Sequence, residues 1–153
     1  MNISFNKNLK YIFLTSFIIF IDQIFKYLIK TNYYKLINKK FLFFSIDYIT
    51  NDGAAFSILS GNRILLSTIS LFTSIILIIF ILNNKVNTIN KYSFCFILAG
   101  SVGNGIDRII NGYVIDFLRI RLIQFPIFNI ADISINIGAL ILIYNYLINK
   151  RTK

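Results

Sequence analysis

Six aspartates carry most of the acid–base chemistry open to this chain, whose 153 residues include no histidine and a single cysteine, Cys95. Without histidine, Ser-His-Asp and Cys-His nucleophilic sites are excluded and a zinc site is disfavoured. Tyrosine and lysine stand behind the aspartates. Cys95 lies in an apolar run with no partner for an internal disulfide, which fits a small buried hydrophobe. The densest polar stretch is Gly103-Asn104-Gly105-Ile106-Asp107-Arg108, where Asn104, Asp107 and Arg108 fall on one helical face. A second stripe, Asn129, Asp132 and Asn136, follows at helical spacing. Two carboxylates a few ångström apart cannot both ionise easily, so Asp107 and Asp132, if they meet, share a proton. One then acts as acid and the other as base, a division suited to peptide hydrolysis with neither metal nor cofactor.

The elements that position these groups are membrane helices. The chain is 56% hydrophobic and 14% charged, with mean hydropathy +0.69, too apolar for a soluble domain of its length. The pattern predicts one integral membrane domain over 1–153, an all-α protein with spans at about 11–29, 64–82, 92–110 and 130–148. Lys7 and Lys10 before an apolar run resemble a secretory signal, but no small-residue cleavage site follows, so this is read as a retained first span. Asp22 and Lys26 are spaced to pair on its face. The segments 30–63 and 111–129 are too polar and too short in their apolar runs to span. Phe41 to Thr50 reads as strand, Asn51-Asp52-Gly53 as a turn, and Tyr113 to Arg121 as an alternating strand or interfacial segment. Gly100 and Gly103 allow close helix packing, Asn111-Gly112 marks a helix stop, and Pro126 precedes the last span.

Four spans place both termini on one side, and all six aspartates then fall on the other. Taking the acid-free side as cytoplasmic makes the acidic face outward. The net charge of +10 belongs to basic segments beside spans and not to a nucleic-acid surface. Intramembrane polar groups also join helices through hydrogen bonds of about 1 kcal/mol. Two aspartates, each flanked by asparagine on its own face, favour a site over a packing device.

Taken together, the boxes IDQIFK from Ile21, NDGAAFS from Asn51, AGSVGNGIDR from Ala99, VIDF from Val114 and FNIADISINIG from Phe128 resemble the lipoprotein signal peptidases, the type II signal peptidases of bacteria. The resemblance covers most of the chain and implies an aspartyl protease of the inner membrane. It would remove the signal peptide of diacylglyceryl-modified prolipoproteins, with those precursors and membrane lipids as partners and no cofactor. It implies four transmembrane helices with a small outer β-sheet cradle. Carried over, the dyad falls on Asp107 and Asp132, with Asn104, Arg108 and Asn129 in support. Asp22, Lys26, Asn51, Gly53, Asp116, Ala131 and Asn136 occupy other positions of the boxes. The family usually has a glycine pair where this chain has Ala99-Gly100. A monomer with both termini cytoplasmic is expected. A small ion- or proton-coupled transporter is the main alternative, followed by a structural membrane subunit and a Ser57–Lys26 protease.

Overall fold

The computed structural model describes residues 5–36, 39–54 and 58–151. Ala55, Phe56 and Ser57 of the NDGAAFS box lie outside the described residues, as does Lys153. The elements are α1 (Phe5–Thr31), α2 (Tyr33–Leu36), β1 (Phe44–Asn51), α3 (Arg63–Leu82), α4 (Thr88–Ile110), β2 (Val114–Ile120) and α5 (Ile130–Arg151). Four of these helices, α1, α3, α4 and α5, are long and apolar enough to cross a membrane. On α3, Leu71, Phe72, Ile75, Ile76 and Ile79 face outward, a surface that suits hydrocarbon.

The third span begins earlier than its apolar run suggests. Helix α4 starts at Thr88, not near Tyr92, because Asn87 caps it, its Oδ1 accepting the Asn90 N–H at 2.8 Å. At its other end Asn111 N–H reaches Asp107 O at 2.7 Å and Gly112 N–H reaches Arg108 O at 3.2 Å. Gly112 takes φ +88°, the left-handed turn expected after a helix. Arg63, opening α3, donates to Arg108 O at 2.7 Å and to Ile109 O at 2.6 Å, so two of the last carbonyls of α4 are met from α3.

Helix α4 packs against α1, α3 and α5. A Cβ at Gly100 would lie 2.3 Å from the Ala131 carbonyl oxygen of α5, and one at Gly103 would lie 2.7 Å from Asp22 Oδ2 of α1. The helices meet where a side chain would not fit. Serines stitch the same seams: Ser93 Oγ donates to Gly138 O at 2.6 Å and Ser134 Oγ to Phe96 O at 2.7 Å. Cys95 is fully buried with Tyr11, Leu77, Ile81 and Leu98, the place its apolar setting indicated.

The strands expected outside the spans pair with each other. β1 and β2 form a two-stranded antiparallel sheet with an irregularity between Ile46 and Ile49. Phe128 bridges to Leu118, so the chain returns along β2 before entering α5. Ile29, Ile115 and Phe117 form a small core that seats the sheet on α1. The Asn51 turn forms as read, with Gly53 N–H donating to Asn51 Oδ1 at 3.0 Å.

Candidate active site

The start of α5 is built by a reciprocal cap. Asp132 N–H donates to Asn129 Oδ1 at 2.9 Å while Asn129 N–H donates to Asp132 Oδ2 at 3.1 Å. Asp22, from α1, accepts the Ala131 N–H on Oδ1 at 2.8 Å. Three of the orphan donors around this helix start are thus met by carboxylates and an amide, and Asp132 is held in the first turn.

Lys26 organises a second cluster. Its Nζ lies 2.8 Å from Asp22 Oδ2, 3.0 Å from Asp107 Oδ2 and 3.0 Å from Asn104 Oδ1. Lys26 is 2% exposed and Asp22 0%, so the pair is a buried junction and not a helix-end ion pair. Gln23 adds Nε2 donors to Asp22 at 3.1 Å and Asp107 at 3.4 Å. Asp107 Oδ2 also accepts the Ile115 N–H at 3.1 Å, tying α4 to the β2 residue just before Asp116. Nothing in Gln23 or in the Ile115 backbone marked them in the sequence.

Asp107 therefore faces α1 and the root of β2. The carboxylate that shares surroundings with Asp132 is Asp116. Asn129 Nδ2 donates to Asp116 Oδ1 at 2.6 Å, while the backbone and Oδ1 of the same Asn129 hold Asp132. Asn51 Nδ2 donates to the other Asp116 oxygen at 3.1 Å. Asn104 completes the link, with Nδ2 on Asp132 Oδ1 at 2.8 Å and Oδ1 accepting from Asn129 at 3.1 Å. Burial, and then the Asp132 charge, push the Asp116 carboxyl up to about 7.

Both carboxylates line a cavity of about 560 Å³ between α3, α4, α5 and the sheet. Asn51, Asn104, Arg108 and Asn136 share its polar wall, and Ile69, Ile97 and Ile135 its apolar one; Asp107 is not on it. Arg108 donates to Gly53 O at 2.7 Å and leaves its buried Nε without a partner. Its hydrogen bonds thus go to backbone, to Asn104 O and Gly53 O, and not to Asp116. Asp47 is ion-paired with Arg119 on the sheet, and Asp52 is exposed in the turn.

Two features of the sequence pointed toward Asp116 without naming it as the partner. It stands between Ile115 and Phe117 in an apolar strand, and it is close in sequence to the polar end of α4. No group of three or more metal-ligating side chains occurs among the described residues.

Fold and cavity define a multi-pass membrane protein with a two-carboxylate pocket at one end of its helices. The family described as signal peptidase (SPase) II matches residues 14–148, and the chain belongs to that family. A lipoprotein signal peptidase of Synechocystis sp. is 50% identical over 101 residues, covering 66% of this chain and 63% of that protein. The match with this cyanobacterial relative therefore spans less than two thirds of its length. One of Francisella tularensis subsp. novicida is 41% identical over 152 residues, covering 94% of each. A bacterial membrane enzyme solved by the in meso method at 2.3 Å resolution superposes with TM-score 0.85 at 33% identity, over 94% of this chain and 91% of that one.

Proposed function

We propose that this protein is an aspartic endopeptidase that removes signal peptides from lipid-modified prolipoproteins, with Asp116 and Asp132 as the catalytic pair. Family membership supports the reaction and speaks against the transporter alternative. The observation that carries the residue assignment is the shared Asn129, which holds both carboxylates on one cavity while Lys26 and Ile115 N–H occupy Asp107. This reading departs from the Asp107–Asp132 pairing expected from the topology and from the family resemblance. Asp107 becomes a positioning residue for the strand that bears Asp116.

In this reading Asp116 holds the shared proton and Asp132, at the positive end of α5, carries the charge. Asp132 takes a proton from water as the oxygen attacks the scissile carbonyl, and Asp116 gives its proton to the carbonyl oxygen. Collapse of the tetrahedral species returns a proton to Asp116 from its hydroxyl, and Asp132 delivers the other to the leaving amine. Asn51 and Asn129 hold Asp116, Asn104 holds Asp132, and Arg108 adds positive charge to the cavity wall. Gly53 and Ala131 serve through backbone, the first as acceptor for Arg108 and the second as donor to Asp22. Asn136 lines the cavity floor.

The whole chain is taken as one membrane-embedded unit in the bacterial inner membrane, a monomer with cytoplasmic termini and with 30–63 and 111–129 outward. The cavity then opens at headgroup depth, where a precursor whose acyl chains stay in the bilayer can reach it. The test is cleavage of a lipidated precursor in membranes. Asp116→Asn and Asp132→Asn are expected to lose more than about a thousandfold in rate, in line with removal of an acid–base partner. Asp107→Asn should retain measurable turnover; a silent Asp107→Asn beside an active Asp116→Asn returns the pair to Asp107 and Asp132. Equal cleavage of precursor that has not been lipidated rejects the lipoprotein assignment.

A further inference from the structure

At the end of the bundle opposite the aspartates, a cavity of about 420 Å³ is lined by Asn8, Lys10, Tyr11, Asn84, Thr88 and Lys91. Two cations meet there on one shared ring, that of Tyr11. Lys10 Nζ lies 5.0 Å from the Tyr11 ring centre and 5.5 Å from that of Tyr92, and Lys91 Nζ lies 5.5 Å from Tyr11. Lys91 is only 6% exposed. Among the described residues it has neither a carboxylate nor a hydrogen-bond acceptor against its ammonium. All six aspartates stand elsewhere in the chain, and the sequence contains no glutamate. Lys91 also sits in the first turn of α4, which carries no acidic residue, so the helix dipole opposes its charge. A mostly covered lysine whose ammonium faces this cavity, beside a like-signed neighbour and a positive helix end, favours an anion there.

The cavity does not end in water alone. Tyr11 is shared with an apolar groove of about 260 Å³ between α1 and α3, lined by Ile12, Thr15, Ile78, Ile81 and Leu98. A cationic pocket at the helix ends and an apolar groove along the span thus lie on either side of Tyr11. We infer that this end of the protein binds an anionic phospholipid, with its phosphate between Lys10 and Lys91 and an acyl chain in the α1–α3 groove. A free phosphate would use the lysines but not the groove. A zwitterionic lipid would use the groove but bring its own cation to the lysines. The site is distant from the catalytic cavity and does not depend on which aspartates work there.

The test uses the purified full chain in a neutral detergent, titrated separately with phosphatidylglycerol, phosphatidylcholine and inorganic phosphate. Native mass spectrometry reads retained lipid and thermal melting reads protection. Phosphatidylglycerol should be retained as one tightly held molecule and raise Tm, with phosphatidylcholine bound more than about tenfold less tightly. Lys10→Gln should weaken retention about fivefold, and Lys10→Gln with Lys91→Gln about twenty-five-fold. Lys10 is exposed, so its variant folds even if Lys91→Gln does not. Ile78→Trp, filling the groove without changing charge, should also release the lipid. Equal retention of the two lipids, or undiminished retention by Lys10→Gln and Ile78→Trp, overturns the site. Protection by inorganic phosphate matching that by phosphatidylglycerol overturns the lipid and leaves an anion pocket.

Discussion

At the residue scale, the behaviour of Asp116 is the most direct test of the proposed chemistry. Its carboxyl is raised from 3.8 to about 7 by burial and then by the Asp132 charge. If Asp116 must be protonated to act, kcat/KM falls as pH rises through about 7. Asn51 donates to the ionised carboxylate and opposes the rise. Asn51→Ala is therefore expected to move that alkaline limb to higher pH, read from a kcat/KM profile; a limb that stays fixed separates it from Asp116. The same shift acts on stability. A group whose folded value exceeds its unfolded one contributes stability that is full below about 4 and is lost as pH rises through about 7. The rise from 3.8 to about 7 corresponds to at most roughly 4 kcal/mol. Asp116→Asn should flatten the fall in Tm between pH 4 and 7 in detergent, whereas an unchanged slope assigns the fall to another group.

At the element scale, the Lys26 junction and the α4 glycines decide where the site residues end up. Lys26 neutralises two carboxylates from two helices, Asp22 and Asp107, in a place where neither is solvated. Lys26→Met leaves both buried and unpaired, at a cost of about 3–5 kcal/mol. Adding Asp22→Asn and Asp107→Asn should recover much of the lost Tm, and failure to recover would mean that packing, not charge, is lost. Gly100 touches the backbone of Ala131, the residue before Asp132. A methyl there cannot fit at 2.3 Å without moving α5. Gly100→Ala should cost about 1–3 kcal/mol and reduce cleavage at least tenfold through displacement of Asp132. Ala99→Gly, at the position where the family usually carries the other glycine, should leave activity within a few-fold, because the close approach is made by Gly100.

At the scale of the whole molecule, the proposed orientation predicts a labelling pattern. In a Cys95→Ser background, a cysteine at Gln124 should react with an impermeant maleimide from outside intact spheroplasts, and one at Lys85 only after lysis. The reverse pattern inverts the topology and moves the cavity to the other face. The four spans, the strand segments at 41–50 and around 114–120, and the helix stop at Asn111-Gly112 were legible in the sequence, because hydropathy, turn chemistry and alternation are local properties. The Asn129 to Asp132 cap was nearly so, since its partners are three residues apart. The side-chain partners were not legible. Helical spacing put Asp107 on a polar face but not which neighbour that face meets, and α1 meets it with Lys26. Asp116 looked like one polar residue in an apolar strand until β2 folded back against α5 and brought it to Asn129. The sequence alone determined a membrane bundle with its carboxylates gathered at one end and a match to the boxes of one family. Which two carboxylates share a cavity was decided only by tertiary structure, since it depends on contacts between residues that are distant in the chain, such as Lys26 with Asp107 and Asn51 with Asp116.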